Sequence, residues 1–488
     1  MEDSHNISNS KIFSSFLWVL IEKFGYSGIN LFSTLVLARL LTPYEFGLVG
    51  AVAIIISISN MIVESGMGAA LVSKKNPKPV DYNTVFTFNL FMSILLCTII
   101  FFSAPYIAEY FGSPILKNLV RVLSITLFFN ALTTIQRIIL IKNLLFKKQS
   151  FISILSLTIS VTFAIFAAYN GWGVWAIVIN LVLYSVLFSI AIFFTIRYIP
   201  KLQFSLTSFK ELLNFGGPII LSSAIQVGYN DIVSSIIAKV YNLQTTGFYV
   251  QSEKLINFPT YIFRSLFDVA AFPILSKTNN KREFKSICSR INRNIYFIAF
   301  PLLLVIPFYS KEIISIVLGR QWVGASDIFT ILSIGVVASL INIAIFSVLK
   351  SSGEVKALLS IGTTKAIIGL SVLACTILFP IEILLYGIIF TNLITSFMAI
   401  YYVDQTTLYS AKHQLKDITI PLVIATIANI LAFTIVKTLG TNNEKINLLV
   451  HIILMLFIFV IQCLIFNIQE LWLAVQKIKT LLKNYLTR

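Results

Sequence analysis

Charge is scarce in this chain. Asp, Glu, Lys and Arg make up 12% of its 488 residues, about half of what a soluble domain carries. No stretch between the apolar runs is long enough for a soluble domain. Four cysteines, Cys97, Cys288, Cys375 and Cys463, show no Cys-x-x-Cys spacing, which argues against a thiol metal site or redox motif. His5, His413 and His451 are too scattered to share a metal. No Gly-x4-Gly-Lys-Ser/Thr loop is present, so the chain offers no recognisable means of hydrolysing ATP. No cofactor is expected, and uphill movement would draw on a proton or sodium gradient or on the membrane potential. A cleavable signal is missing too: Met1 to Ser10 is polar, and the first apolar run continues to Leu37 without a small-residue cleavage pattern.

What is present is hydrocarbon. Apolar residues reach 57%, with mean hydropathy +0.89. Stretches of about 20 residues, each able to cross a bilayer, predict an all-α polytopic membrane protein. Fourteen spans are expected, near 13–37, 46–71, 83–104, 118–141, 150–169, 173–196, 214–238, 247–272, 293–310, 325–349, 357–379, 381–403, 418–436 and 447–467.

The net charge of +17 is a topology signal rather than a nucleic-acid footprint. With these boundaries, 24 of the 37 Lys and Arg residues fall on one side, from Lys11 through Lys277–Arg293 to the tail Lys477–Arg488. Seven fall on the other: Arg39, Lys117, Lys239, Lys311, Arg320, Lys437 and Lys445. Positive residues stay inside, so both termini are expected in the cytoplasm and the span count is even. Contact with lipid headgroups is a secondary role for the same cations.

The second half of the chain repeats the first at an offset of 200 residues. Ala38-Arg39 and Gly47 return as Ala238-Lys239 and Gly247. Asn30 matches Asn230, Thr34 matches Ser234, Glu64 matches Arg264, and Ala70 matches Ala270. Paired repeats are a common construction of transporters, which rock around a central site. The expected division is 1–205 and 206–405 as two six-helix lobes, 406–470 as two further spans, and 471–488 as a basic tail.

Polarity inside spans marks the candidate site, because a central charge costs at least ~2.5–3.5 kcal/mol on insertion scales. Glu22, Tyr26, Asn30 and Thr34 share one face of the first helix. Ser222, Gln226, Asn230 and Ser234 repeat that stripe on the seventh, with Asp231 beside it. The eighth adds Glu253, Lys254, Asn257, Tyr261, Arg264 and Asp268, interrupted by Pro259. Lys365 stands in the eleventh. Such stripes also serve as helix–helix glue, and Arg264 with Asp268 has the spacing of a self-neutralising pair. Lys23 and Lys365 have no acid three or four positions away, which favours a cavity role. Arg121 and Arg137 stand near span ends, where snorkelling to the headgroups is expected.

Three segments carry a family resemblance. Leu37-Ala38-Arg39-Leu40-Leu41-Thr42-Pro43-Tyr44-Glu45-Phe46-Gly47-Leu48 resembles the signature between the first two helices of polysaccharide flippases. Glu64-Ser65-Gly66-Met67-Gly68-Ala69-Ala70-Leu71-Val72 is similar to the close of their second helix, and Phe215-Gly216-Gly217-Pro218 to the opening of their seventh. These are the Wzx-like O-antigen and capsule flippases of the multidrug/oligosaccharidyl-lipid/polysaccharide (MOP) exporter superfamily. The resemblance implies a MATE-like fold of two six-helix lobes plus two C-terminal helices in the bacterial inner membrane. It implies a substrate, an oligosaccharide on undecaprenyl pyrophosphate, turned from the cytoplasmic to the periplasmic leaflet by alternating access. It also implies that cleft cations meet the pyrophosphate, a role that falls here to Lys23, Lys254, Arg264 and Lys365. Tyr26, Asn30, Gln226, Asn230 and Asn257 would meet sugar hydroxyls, and Glu22, Asp231 or Glu253 would carry the coupling ion. Other polysaccharide-assembly proteins are the implied partners. An ion-coupled multidrug or cation antiporter of the same superfamily remains an alternative, though its pocket should be dominated by acids. A pathway polymerase or ligase is the enzymatic alternative, and would usually carry a large periplasmic loop.

Overall fold

Most of the described helices are long because the apolar runs are long, while Met67–Ser73 and Ser310–Val317 have 7 and 8 residues. The computed structural model describes residues 9–64, 66–267, 274–275, 278, 280–439, 444–466 and 468, and among the described residues there is no β-strand. Sixteen α-helices follow in order. The first eight are α1 (Asn9–Leu40), α2 (Pro43–Glu64), α3 (Met67–Ser73), α4 (Pro79–Tyr110), α5 (Ile115–Lys142), α6 (Phe146–Tyr169), α7 (Val174–Thr195) and α8 (Leu206–Val240). They continue as α9 (Leu243–Leu266), α10 (Lys281–Leu303), α11 (Ser310–Val317), α12 (Ser326–Ser351), α13 (Val355–Thr376), α14 (Ile381–Thr406), α15 (Ala411–Leu439) and α16 (Glu444–Ile465). The shortest full-length helices have 22 residues, about 33 Å at 1.5 Å per residue, against a hydrocarbon core of ~30 Å.

Eleven of the described helices are long and apolar enough to cross a membrane. Helices α1, α8 and α9 are not among them, and these are the three whose apolar runs are interrupted by the polar stripes. The expected start at 293 was late: α10 begins at Lys281 and the continuous candidate span reaches Val317. Pro259 was expected to interrupt its helix, yet α9 runs through it.

Two compact units divide after Val250. In the first, α1 packs on α6, α4 on α5, and α2 on α8, while α5 and α7 close the middle. Leu48, Ala51, Val52, Leu116, Leu119 and Leu127 form a buried core there. In the second, α12 and α13 pack on α14, and α10 and α16 pack on α15. His451 is fully buried in that unit and meets Asn429 Oδ1 at 3.2 Å, with Tyr309 and Phe433 around its ring. A buried polar group needs such a partner, and Asn429 in turn donates to the carbonyl of Pro301 at 3.3 Å.

The signature segments have a local physical meaning. Thr42 precedes Pro43 at the first position of α2, where a missing N–H costs nothing. The Glu45 carboxylate reaches back to the Thr42 N–H at 2.6 Å and its hydroxyl at 3.0 Å, satisfying an otherwise orphaned donor. Two hundred residues later, Asn242 Oδ1 accepts the Thr245 N–H at 2.7 Å and caps α9 in the equivalent place.

The repeat is also a contact. A Cβ on Gly47 would fall on the carbonyl oxygen of Leu243, and one on Gly247 on the carbonyl oxygen of Pro43. Gly50 faces Val250 in the same way, its imaginary Cβ 2.8 Å from a Val250 methyl. The offset of 200 exchanges the contact 43/247 with 47/243 and pairs 50 with 250, so the two helix starts cross as near-symmetric copies. Ser234 donates to the Gly50 carbonyl at 2.9 Å and Ser235 to the Ala51 carbonyl at 2.8 Å, which fixes α8 against α2. The other two signatures meet each other. Gly66, in the left-handed region at φ 59°, ends the turn before α3, and a Cβ on Gly216 would stand 2.7 Å from its carbonyl.

On the surface nearby, Lys74 bridges Asp81 at 3.1 Å and Glu211 at 2.9 Å. Its hydrogen bond to the Glu211 carboxylate lifts the Lys74 ammonium above its ordinary pKa. Glu211 is exposed, so its bridge contributes little to stability, whereas the Asp81 carboxylate is buried.

Candidate functional site

The first unit contains a chamber of about 430 Å³ between α1, α2, α5 and α7, where polar side chains stand among Val49, Val52, Ile56, Leu123 and Leu181. Tyr26 enters from α1, Ser57 and Asn60 from α2, Asn130 and Arg137 from α5, and Tyr184 from α7. These polar groups gain from facing inward because lipid would not satisfy them. Asn130 donates to Asn60 Oδ1 at 2.9 Å, joining α5 to α2 across the chamber. Tyr26 and Tyr184 meet edge to face, ring centres 5.9 Å apart, which fixes α1 against α7.

Arg137 is the residue that sequence reasoning misplaced. It was expected to snorkel at a span end, but it lines the chamber. Its guanidinium stands 4.3 Å over the Phe188 ring, and its Nε is buried with no hydrogen-bond partner. Five residues separate it from the end of α5, about 7.5 Å along the axis, and packing of α7 rather than sequence position turns it inward. Arg121, expected to behave alike, does something else: it stacks on Phe101 at 4.2 Å and donates to the Phe101 carbonyl at 3.2 Å. Glu22 stands close to the chamber and accepts from Gln149 Nε2 at 3.2 Å and Ser150 Oγ at 3.4 Å. The charges of Arg137 and Lys23 both act on its carboxylate.

The remaining candidates divide between the units. Lys23 is half-buried on α1, as is Asn30, whose carbonyl accepts the Thr34 hydroxyl at 2.8 Å. Asp231 on α8 is half-buried, and its backbone carbonyl accepts from Ser234 at 2.9 Å. In the second unit, Glu253 and Arg264 of α9 lie within electrostatic reach of Lys365 on α13. Lys254 and Asn257 are exposed. The side chains of Ser222, Gln226 and Asn230, and all of Asp268, lie outside the described residues.

Spans, caps and a cation-bearing chamber define a polytopic, all-helical membrane protein of transporter architecture. A model of the family described as "Polysaccharide biosynthesis protein" matches residues 36–327, more than half of the chain, which therefore belongs to that family. Among its relatives, the succinoglycan biosynthesis transport protein ExoT of Rhizobium meliloti is 21% identical over 65% of this chain and 64% of that protein. The teichuronic acid biosynthesis protein TuaB of Bacillus subtilis is 26% identical over 68% of this chain and 70% of TuaB. The lipopolysaccharide biosynthesis protein WzxC of Escherichia coli is 23% identical over 64% of each chain. The match thus spans just under two-thirds of the ExoT and WzxC lengths. Among solved structures, the lipid II flippase MurJ in an inward closed conformation shares the fold with TM-score 0.72 and 17% identity, covering 92% of this chain and 98% of that one. An inward-facing multidrug resistance MATE family transporter of the MOP superfamily follows at TM-score 0.60 and 12% identity, covering 83% and 99%. At these identities the likeness defines the fold.

Proposed function

We propose that the protein is a flippase that moves undecaprenyl-pyrophosphate-linked oligosaccharide units from the cytoplasmic to the periplasmic leaflet by alternating access, for assembly of O-antigen, capsule or exopolysaccharide. It is a transporter and not an enzyme. The observation that carries this reading is the chamber in which a buried, unpartnered Arg137 Nε faces Asn, Ser and Tyr side chains. A diphosphate entering a low-dielectric region needs a cation, and guanidinium is suited to it. Sugar hydroxyls need amide and hydroxyl partners. The relatives named for succinoglycan, teichuronic acid and lipopolysaccharide support a saccharide substrate. Lys23, Lys254, Arg264 and Lys365 remain the further headgroup candidates, and Glu22, Asp231 and Glu253 the candidates for proton or sodium coupling.

Deletion of the gene followed by mass analysis of lipid-linked sugars is the test. Lipid-linked repeat units should persist on the cytoplasmic leaflet while surface polysaccharide is lost. A strain that stops making the lipid-linked unit altogether would mean that the chain is an enzyme.

The orientation follows from the distribution of Lys and Arg, with both termini in the cytoplasm of an inner-membrane protein. Single cysteines placed at 280 and 442 in a protein lacking its native four should discriminate. An impermeant thiol reagent applied to intact spheroplasts should label 442 and spare 280. Labelling at 280 alone reverses the topology.

A further inference from the structure

A second cavity, of about 760 Å³, lies in the other unit, and nothing in the flippase reading uses it. It opens between α10, α15 and α16, and Arg293, Lys416 and Gln462 stand around one end. Below them Ile420, Val423 and Ile427 continue from Lys416 along one face of α15 at three- and four-residue steps. The distance from Lys416 to Ile427 is about 16 Å at 1.5 Å per residue, half of the ~30 Å hydrocarbon core. The cavity is therefore basic at the membrane boundary and aliphatic through one leaflet.

The charged residues that line the cavity are Arg293 and Lys416. Lys281, Arg282, Lys285 and Arg290, with Glu283 among them, precede Arg293 along α10, and Lys412 precedes Lys416. Asp417, the nearest acid along α15, is buried and engaged elsewhere, accepting from Ser289 Oγ at 2.5 Å and from Tyr409 Oη at 2.8 Å. Burial, and then contact with that carboxylate, hold the Tyr409 phenol well above its ordinary pKa, which keeps it a donor. Gln462 Oε1 is buried without a donor.

We propose that this cavity is a site for an anionic phospholipid of the leaflet at the basic end. Its phosphate lies between Arg293 and Lys416, and one acyl chain runs down Ile420, Val423 and Ile427. A glycerol headgroup supplies the hydroxyl donor that Gln462 lacks. Basic residues at a cytoplasmic membrane face attract such lipids, each contributing to affinity near the surface. The site needs the basic end to meet an anionic leaflet and does not need the flippase reading, so either can fail alone.

The test uses the full chain, purified in detergent, with phosphatidylglycerol and phosphatidylcholine of matched chain length. Native mass spectrometry should show phosphatidylglycerol retained at least fivefold over phosphatidylcholine. Lys416→Gln, at an exposed position, should remove most of that preference, and Arg293→Gln with Lys416→Gln should abolish it. Phosphatidylglycerol should raise the unfolding temperature of the native protein and not that of Lys416→Gln, while the two unfold alike without lipid. Equal retention of the two lipids, or a Lys416→Gln protein indistinguishable from the native one, overturns the proposal. Displacement of phosphatidylglycerol by far lower concentrations of undecaprenyl phosphate overturns it too, since the cavity would then receive a polyprenyl tail.

Discussion

Alanine at Gly47 or at Gly247 should lower export of polysaccharide about tenfold, while alanine at Gly217 should leave it within about twofold. The expected size follows from overpacking, which costs ~1–3 kcal/mol, where ~1.4 kcal/mol is a factor of ten. At Gly47 the added methyl falls on the Leu243 carbonyl, and at Gly247 on the Pro43 carbonyl. A carbonyl in a capped helix start cannot rotate aside, so α2 and α9 must separate. Separation weakens the Ser234 and Ser235 hydrogen bonds that hold α8 to α2. At Gly50 the nearest atom is a Val250 methyl, which can turn, so Gly50→Ala should be milder. Nothing stands within 4 Å of a Cβ at Gly217, and alanine there gains helix propensity. Export normalised to membrane abundance is the measurement. Normal export by both Gly47→Ala and Gly247→Ala would mean that the seam is not part of the transport cycle.

That seam shows what could be read in advance. The offset of 200 residues was visible in the sequence, and so was the run from Leu37 to Leu48. Sequence alone could not say that the two copies touch, because contact depends on the angle at which α2 and α9 begin. Helix identity was legible because twenty apolar residues in succession admit few alternatives. The boundary at Lys281 was not, because the first turns of α10 are charged and extend beyond any apolar stretch. The polar stripe of α1 was legible as a periodicity, and the structure places Tyr26 in a chamber and Glu22 beside it. Its partners on α2, α5 and α7 were not, since which faces meet is set by tertiary packing between helices far apart in the chain. Arg121 and Arg137 make the same point on one helix. They are 16 positions apart on α5, alike in sequence context, and differ only in what α4 and α7 place opposite them.

Arg137→Ala should reduce export about tenfold or more with the protein still inserted at normal abundance, and Arg121→Ala should have little effect. Arg121 has a local function: its guanidinium covers Phe101 and satisfies a backbone carbonyl. Such contacts at a helix surface contribute ~0.5–1 kcal/mol. Arg137 faces a chamber with its Nε unpartnered, so its removal deletes a cation where an anionic headgroup would otherwise be poorly compensated, at a cost of several kcal/mol. Arg137→Lys should retain part of the activity, since the charge remains while the two-pronged geometry is lost. Lys23→Ala should also reduce export strongly, and Lys23→Arg should retain part of it, because Lys23 acts on the same Glu22 carboxylate that Arg137 does. The shared partner makes the two effects coupled: the double variant should lose less than the product of the single losses. Complementation of a deletion strain, with surface polysaccharide as the readout, decides the matter. Normal export by Arg137→Ala together with loss in Arg121→Ala would show that the headgroup passes elsewhere and that this chamber only packs the first unit.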